Sequence, residues 1–131
     1  MTYRVFLSYS RRDRAAAAGV ARALQKLGIT AFDPEREVKP GDNWRTTIMD
    51  GIRRSDQVAV IWNPSSGPAD WLNYEVGSAS ALGKEIVVLK PADFSSGDLP
   101  GELGGWRIID FDPAAPDRTA KALASSLASA A

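Results

Sequence analysis

Short apolar segments and amphipathic helical segments alternate along this chain, and this alternation constrains the fold more than any other feature. Alternating strand and helix segments predict a parallel sheet with helices packed on both of its faces. Right-handed connections and about five strands favour the flavodoxin-like strand order 2-1-3-4-5. We therefore predict an α/β three-layer sandwich with a five-stranded parallel sheet. The strand segments are residues 3–9, 29–33, 57–62, 85–90 and 106–111.

Helix signals lie between the strand segments. Ser10 or Asp13 can cap a first helix that continues to about Leu27, and Asp42 is placed to cap a second helix. Gly28 and Gly83 are placed to end helices. The apolar face of the first helix consists of Ala17, Val20, Ala21, Leu24 and Leu27. Further helices are predicted at residues 44–54, 71–82 and about 117–129, and loops at residues 34–43 and 91–105, the latter with a short helical turn.

The predicted topology locates a ligand site. In open α/β sheets ligands bind beyond the carboxyl ends of the strands, where the strand order reverses. In the predicted order this point lies between the first and third strands. The loops there are residues 8–13 and 63–70, and the second loop leads directly to Trp71 and Glu75. Asn63, which opens that loop, either caps the third strand or faces the site.

An aromatic ring and a carboxylate share one helical face at Trp71 and Glu75, which are four residues apart. Such a pair suits a sugar or a nucleotide. The chain contains no His and no Cys, so any chemistry has to use carboxylates, hydroxyls, or Lys and Arg. Glu75 is therefore the leading candidate for a catalytic group. In the alternative interpretation Trp71 only packs and Glu75 is only solvated.

Composition and missing motifs exclude several functions. The 131 residues fit one domain, and sixteen basic and sixteen acidic residues cancel, so nothing indicates a nucleic acid or an anionic membrane as a partner. The absence of Cys excludes disulfides and thiolate metal sites. The acidic residues of a phospho-receiver, a G-x-G-x-x-G fingerprint and a Walker loop are all missing after the first strand. Without a signal peptide or an apolar run of membrane-spanning length, we expect a cytoplasmic protein.

Four segments together resemble the Toll/interleukin-1 receptor (TIR) domain family in its bacterial form. Residues 5–13 (VFLSYSRRD) are similar to its first-strand box, and FDP at 32–34 with VKPGDNW at 38–44 resembles its BB loop. IRRSD at 52–56 is similar to its second box. The run from Trp71 to Glu75 (WLNYE) matches the W-x-x-x-E pattern of TIR enzymes. The resemblance covers about residues 3–111 and implies a single TIR domain over residues 1–131.

This resemblance implies a reaction with NAD+. Enzymatic TIR domains cleave the bond between nicotinamide and ribose, and the products are nicotinamide and ADP-ribose or a cyclic ADP-ribose isomer. The catalytic glutamate of the family corresponds to Glu75. NAD+ is then the substrate, and no cofactor or metal ion is implied. The substrate-binding positions of the family correspond to Tyr9, Ser10, Arg11, Asp33, Trp44 and Trp71.

The resemblance also implies partners. Many TIR enzymes become active on self-assembly, when the BB loop of one subunit, here about residues 34–43, completes the pocket of a neighbour. Similar enzymes act in bacterial immunity against phage, together with a fused or separate sensor. Residues 124–131, rich in Ala and Ser, could lead into a linker, so the chain is either a whole protein or a module of a longer one.

Alternatives stay open at this point. The family also contains adaptors that only pair with other TIR domains, and the presence of Glu75 favours an enzyme. A nucleoside deoxyribosyltransferase-like enzyme on a related α/β fold is a further alternative, against which the long BB-like loop argues. The residues do not decide whether water or a group of the same NAD+ molecule captures the ribosyl cation.

Overall fold

The computed structural model describes residues 4–64, 77–95 and 106–130, with side chains as far as residue 127. In these stretches five strands form one sheet, all paired in parallel, in the order β2-β1-β3-β4-β5. This confirms the predicted flavodoxin-like α/β fold with strand order 2-1-3-4-5. The strands are β1 (Arg4–Ser8), β2 (Thr30–Phe32), β3 (Gln57–Ile61), β4 (Glu85–Pro91) and β5 (Arg107–Phe111).

The central strand β3 shows why the sequence folds in this way. Each of its residues is buried, because a parallel strand is covered by helices on both faces and therefore carries a continuous apolar run. Val58 and Val60 face one helical layer, and Ala59 and Ile61 face the other. The run QVAVI therefore fits a central parallel strand, since its side chains enter two separate cores.

Two helical layers cover the sheet. The apolar sides of α1 (Arg14–Lys26) and α5 (Pro116–Ala130) pack on one face. On the other face lie α3 (Trp44–Arg53) and α4 (residues 77–81). The burial of a leucine in the first layer or of an isoleucine in the second contributes about 1.5–3 kcal/mol. This arrangement is the predicted three-layer sandwich, and α5 occupies the position predicted for a helix over residues 117–129.

The segment 34–43 contains a helix that was not predicted from the sequence. The helix α2 (Pro34–Glu37) begins at a proline, whose fixed φ suits the first helical position. The Asp33 carboxylate caps it by accepting a hydrogen bond from the Glu35 N–H at 3.1 Å. The prediction of an uninterrupted loop over 34–43 is therefore wrong at residues 34–37. The Asp-Pro pair was the available signal.

The N-cap of α3 is Asn43 and not Asp42. Asn43 Oδ1 accepts a hydrogen bond from the Thr46 N–H at 3.1 Å. The Asp42 carboxylate instead accepts from the Lys39 N–H at 2.9 Å, inside the preceding loop. The prediction of Asp42 as the cap is wrong because α3 begins at Trp44, and the residue directly before a helix is the one that reaches its free N–H groups.

The helices α1 and α4 both end close to a glycine. Gly28 and Gly83 adopt φ values of +76° and +69°, as expected of residues that end α1 and α4. Leu27 was predicted on the apolar face of α1, but it is 44% exposed. That prediction is wrong because α1 ends at Lys26, and Leu27 already belongs to the turn. At the described residues the strand boundaries differ from the predicted ones by at most one residue.

Two internal parts of the sequence lie outside the described residues. Residues 65–76 include most of the predicted loop after β3 and the predicted start of the third helix at residue 71. Residues 96–105 include much of the predicted loop over 91–105. Within the part of the chain that the structure describes, no helix is long and apolar enough to cross a membrane.

Candidate active site

The candidate site lies at the carboxyl edge of the sheet, where β1 and β3 end side by side. From β1 the chain passes through α1 to β2 on one side, and then crosses back to β3 on the other side. This is the reversal at which open α/β sheets bind ligands. The residues that follow β1 are polar, and Ser10 is buried there. The edge therefore offers polar groups held by a rigid sheet.

Tyr9 and Asp33 are joined across this edge. The Tyr9 hydroxyl donates a hydrogen bond to Oδ1 of Asp33, a residue that is only 5% exposed. The same oxygen accepts from the Glu35 N–H, so Asp33 connects the end of β1 to the start of α2. Burial, followed by the hydrogen bond and the negative charge of Asp33, raises the pKa of Tyr9 well above its usual range. Tyr9 therefore stays protonated and remains a donor.

A salt bridge continues this connection at the surface. Arg14 Nε lies 2.5 Å from Glu35 Oε2 and joins the first residue of α1 to α2. The hydrogen bond to Glu35, and then the charge of that carboxylate, raises the pKa of Arg14. Because the Arg14 side chain is exposed to solvent, the pair orients α2 more than it stabilises the fold.

Asp13 joins the loops that follow β1 and β3. It is the last residue of the 3-10 turn Arg11–Asp13 and is 6% exposed. Its Oδ2 accepts a hydrogen bond from Ser10 Oγ at 3.1 Å, and its Oδ1 accepts from Asn63 Nδ2. Asp13 stands at the N-cap position of α1, yet its side chain makes no capping hydrogen bond. Asn63 therefore contacts the loop that follows β1.

Two further predicted site residues, Arg11 and Trp44, are exposed. Arg11 is exposed on the turn after β1. Trp44, the first residue of α3, is 46% exposed, which is unusual for so large an apolar side chain. Glu75 and Trp71 lie outside the described residues. The described residues thus bring Tyr9 to Asp33 and Ser10 to Asp13, and they leave Arg11 and Trp44 accessible.

A small cavity opens at the same edge of the sheet, on the side of α1. Its volume is about 50 Å³, which is room for a few water molecules and too little for a nucleotide. Asp13 and Asn63 contribute its polar wall. Over the residues that the structure describes, no group of three or more acidic side chains is placed to hold a metal ion. The other lining residues are Ala16, Ile61, Trp62, Pro91, Phe111 and Pro113.

The chain as a whole matches a known family. The family model of the TIR domain (TIR_2) matches residues 5–127, nearly the full length. The chain belongs to the TIR domain family. This confirms the resemblance inferred from the four sequence segments, and the matched region contains each of them.

One curated relative of this TIR domain is AbTIR from Acinetobacter baumannii (strain 1295743), a 2′ cyclic ADP-D-ribose synthase. The two sequences are 32% identical over 75 residues, which is 56% of this chain. The matched part is 28% of the length of AbTIR. The TIR domain therefore has a distant relative that is a 2′ cyclic ADP-D-ribose synthase, and it spans less than two thirds of that relative.

Solved structures share the fold of the TIR domain. A metazoan TIR-STING receptor from C. gigas superimposes with a TM-score of 0.72 at 21% identity, over 94% of this chain and 39% of the receptor. A 2-deoxyribosyltransferase from Bacillus psychrosaccharolyticus superimposes with a TM-score of 0.65 at 19% identity, over 87% and 90% of the two chains. At these identities the likeness shows the fold alone.

Removal of the Tyr9 hydroxyl tests the connection between β1 and α2 of the TIR domain. We expect Tyr9→Phe to lower the free energy of unfolding by about 1–3 kcal/mol, because the buried Asp33 carboxylate loses a donor. In an Asp33→Asn background the same change should cost less, about 0.5–1.5 kcal/mol, because the acceptor is neutral. Urea denaturation of the four proteins measures both costs. Equal costs in the two backgrounds would contradict the hydrogen bond.

Proposed function

We propose that this TIR domain cleaves NAD+ between nicotinamide and ribose and releases nicotinamide with ADP-ribose or a cyclic ADP-ribose isomer. The identity of 32% to a 2′ cyclic ADP-D-ribose synthase carries the proposal. The polar residues at the strand-order reversal are compatible with it, because the reversal is where this class of sheet binds nucleotides.

A chain without His or Cys can perform this reaction because the leaving group needs no proton. A glycosidase uses a second carboxyl group to protonate a departing alkoxide. Nicotinamide in NAD+ already carries a positive charge on its ring, and it leaves as a neutral molecule with the electron pair of the broken C–N bond. The remaining task is to stabilise the oxocarbenium-like transition state, for which one carboxylate near the ribose suffices.

Glu75 is proposed as that carboxylate. In the helix predicted to start at residue 71, Glu75 lies near the N-terminus, where the helix dipole favours an anion by about 0.3–1 kcal/mol. A carboxylate at this position is proposed to face the positive charge that develops on the ribose. Trp71, one turn earlier in the same predicted helix, packs under the ribose or excludes water from it.

The proposed contacts to the rest of NAD+ use described residues. Among these residues, the Tyr9 hydroxyl and the Glu35 N–H both donate to Oδ1 of Asp33, which leaves Oδ2 to accept from a ribose hydroxyl, with Tyr9 fixing the orientation of the carboxylate. Ser10 follows Tyr9 directly in the chain, and the exposed Arg11 offers a cation for the pyrophosphate. Trp44 presents an exposed aromatic face for a nucleobase.

Self-assembly is part of the proposal. The loop 34–43, with its exposed Pro40-Gly41 turn, is the segment proposed to complete the pocket of a neighbouring TIR domain. Activity would then depend on clustering by a fused or separate sensor, as expected of a role in bacterial immunity against phage.

The deciding experiment is incubation of concentrated protein with NAD+, with nicotinamide followed by chromatography. We expect nicotinamide to appear in proportion to protein and time. The mass and retention of the second product then separate ADP-ribose from a cyclic isomer, since hydrolysis adds one water molecule. Release of no nicotinamide, even from clustered protein, would contradict the proposal and favour an adaptor that acts only through TIR–TIR contacts.

A further inference from the structure

The short helix α2 is held in place mainly by polar contacts. It has four residues and none of them is buried, so apolar burial contributes little to its position. A single helical turn is not stable in isolation, because its few hydrogen bonds do not offset the cost of fixing its backbone. Its first turn depends on the Asp33 carboxylate, whose Oδ1 accepts from the Glu35 N–H at 3.1 Å. Any contact that fixes Glu35 therefore also preserves a donor to Asp33.

Glu35 connects two different elements through its backbone and its side chain. The backbone N–H binds Asp33, and the carboxylate meets the guanidinium of Arg14 at two points. Arg14 Nε lies 2.5 Å from Oε2, and Arg14 Nη2 donates to Oε1 at 3.3 Å. A guanidinium that meets a carboxylate through two parallel contacts fixes its orientation, which a single contact does not. Glu35 thus links the first residue of α1 to the carboxylate that opens α2.

The place of Arg14 in α1 is unusual for a cation. Arg14 is the first residue of this helix, where the helix dipole favours an anion, and the first turn contains no acidic residue. The charge of Arg14 therefore does not stabilise its own helix, and its pairing with Glu35 is directed toward α2. The charges of Glu35 and Arg14 both act on the Tyr9 hydroxyl. The ion pair consequently lies close to the buried hydrogen bond between Tyr9 and Asp33.

We propose that Arg14 is a positioning residue for the Asp33 carboxylate and acts on it through Glu35. This inference rests on the proposed function, in which Oδ2 of Asp33 accepts from a ribose hydroxyl of NAD+. Arg14 itself contacts no substrate in this role. By fixing the Glu35 side chain it keeps the Glu35 N–H on Oδ1, which leaves Oδ2 for the ribose. Loss of the pair lets the first turn of α2 fray, so that the carboxylate rotates and NAD+ binds less well.

Replacement of Arg14 by Gln tests this role, because it removes the charge and the two-point contact but keeps a long polar side chain. We expect KM for NAD+ to rise about two- to fivefold while kcat stays within about twofold, as suits the loss of one exposed ion pair. Without substrate, amide hydrogen exchange at residues 35–38, followed by NMR, should accelerate by about the same two- to fivefold factor.

Arg54→Gln is the matched control. The Arg54 side chain is 65% exposed, compared with 62% for Arg14, and it pairs with Asp50 on α3 at 3.3 Å. The control therefore also loses one exposed ion pair and one positive charge. We expect it to leave KM and the exchange of residues 35–38 unchanged. Thermal unfolding and circular dichroism identify the variants that fold.

A double-mutant cycle tests whether Arg14 acts through Glu35. Glu35→Gln removes the carboxylate and keeps the backbone N–H that donates to Asp33. In this background we expect Arg14→Gln to change KM and amide exchange by less than about 1.5-fold, because the two residues act as one unit. An Arg14 that contacted the pyrophosphate directly would keep its full effect on KM in the Glu35→Gln background, and that result would overturn the inference.

The remaining outcomes are equally decisive. A folded Arg14→Gln protein with the wild-type KM and exchange would overturn the inference. A change in only one of the two measurements would also overturn it, because the proposed route to NAD+ passes through the Glu35 N–H. A wild-type protein that cleaves no NAD+ contradicts the proposed function instead. Amide exchange then still decides whether Arg14 holds the Glu35 N–H on Asp33.

Discussion

Replacement of Glu75 by Gln is expected to reduce nicotinamide release from NAD+ by about 10²- to 10³-fold in kcat, with the fold retained. The substitution keeps the size of the side chain and removes its charge. It therefore removes the group proposed to stabilise the positive charge that develops on the ribose as the C–N bond breaks. Binding of NAD+ should change much less, because most of the proposed contacts to the pyrophosphate and the nucleobase come from other residues. Single-turnover kinetics with saturating NAD+ measure the effect on the chemical step.

A matched control is available at the opposite edge of the sheet. Glu85 begins β4, where its carboxylate accepts from Ser126 Oγ at 2.7 Å and lies 3.8 Å from Arg107. Glu85→Gln removes the same charge far from the carboxyl edge and should leave kcat within about twofold of the wild type. Equal activity of Glu75→Gln and the wild-type protein would show that Glu75 has no catalytic role. Any cleavage of NAD+ would then depend on another residue.

Clustering is expected to raise the specific activity by about tenfold or more, because it raises the local concentration of neighbouring TIR domains. The isolated domain should be weakly active in dilute solution and more active when it is concentrated or fused to an oligomeric scaffold. Nicotinamide release per mole of TIR domain, compared between a monomeric and an oligomeric fusion, measures the effect. Specific activity that is independent of concentration and fusion would show that one domain holds a complete pocket.

Substitutions at two glycines distinguish an effect on assembly from an effect on stability. Gly41 in the loop 34–43 and Gly83 after α4 both adopt positive φ, and an added Cβ would meet no atom within 4 Å at either position. Gly41→Ala and Gly83→Ala should therefore impose similar backbone strain, about 1–2 kcal/mol each. We expect only Gly41→Ala to weaken the response to clustering. An equal loss in both variants would point to stability and not to assembly.

The fold was predictable from the sequence because its signals are local. The buried run of β3 and the helical spacing of Ala17, Val20 and Leu24 in α1 each predict one element within a few residues. The strand order then follows from the handedness of the connections, which leaves few topologies for an alternating chain. The errors fall at the ends of elements, at Leu27 and Asp42, where one residue of difference in a helix boundary changes the role of a side chain.

The interior of the site was predictable only in part. Tyr9 and Ser10 were expected in the loop at the reversal, and in the structure they directly follow β1 there. Their partners were not predictable, because Tyr9 and Asp33 are 24 residues apart and Asp13 and Asn63 are 50 residues apart. The local pattern indicated that Asp13 could cap a helix, and the resemblance to TIR domains implied that Asp33 binds substrate. Neither contained information on which distant donor each carboxylate would meet.

The sequence by itself determined the alternating parallel architecture, the family and a chemistry restricted to carboxylates, hydroxyls, Lys and Arg. These properties depend on residue type and periodicity, which can be read along the chain. Only the tertiary structure decided that Asp13 accepts from Asn63 rather than capping α1, and that Tyr9 donates to the carboxylate that opens α2. A buried carboxylate takes the donors that folding brings within hydrogen-bonding distance, and that choice is made by the packing of β1 between β2 and β3.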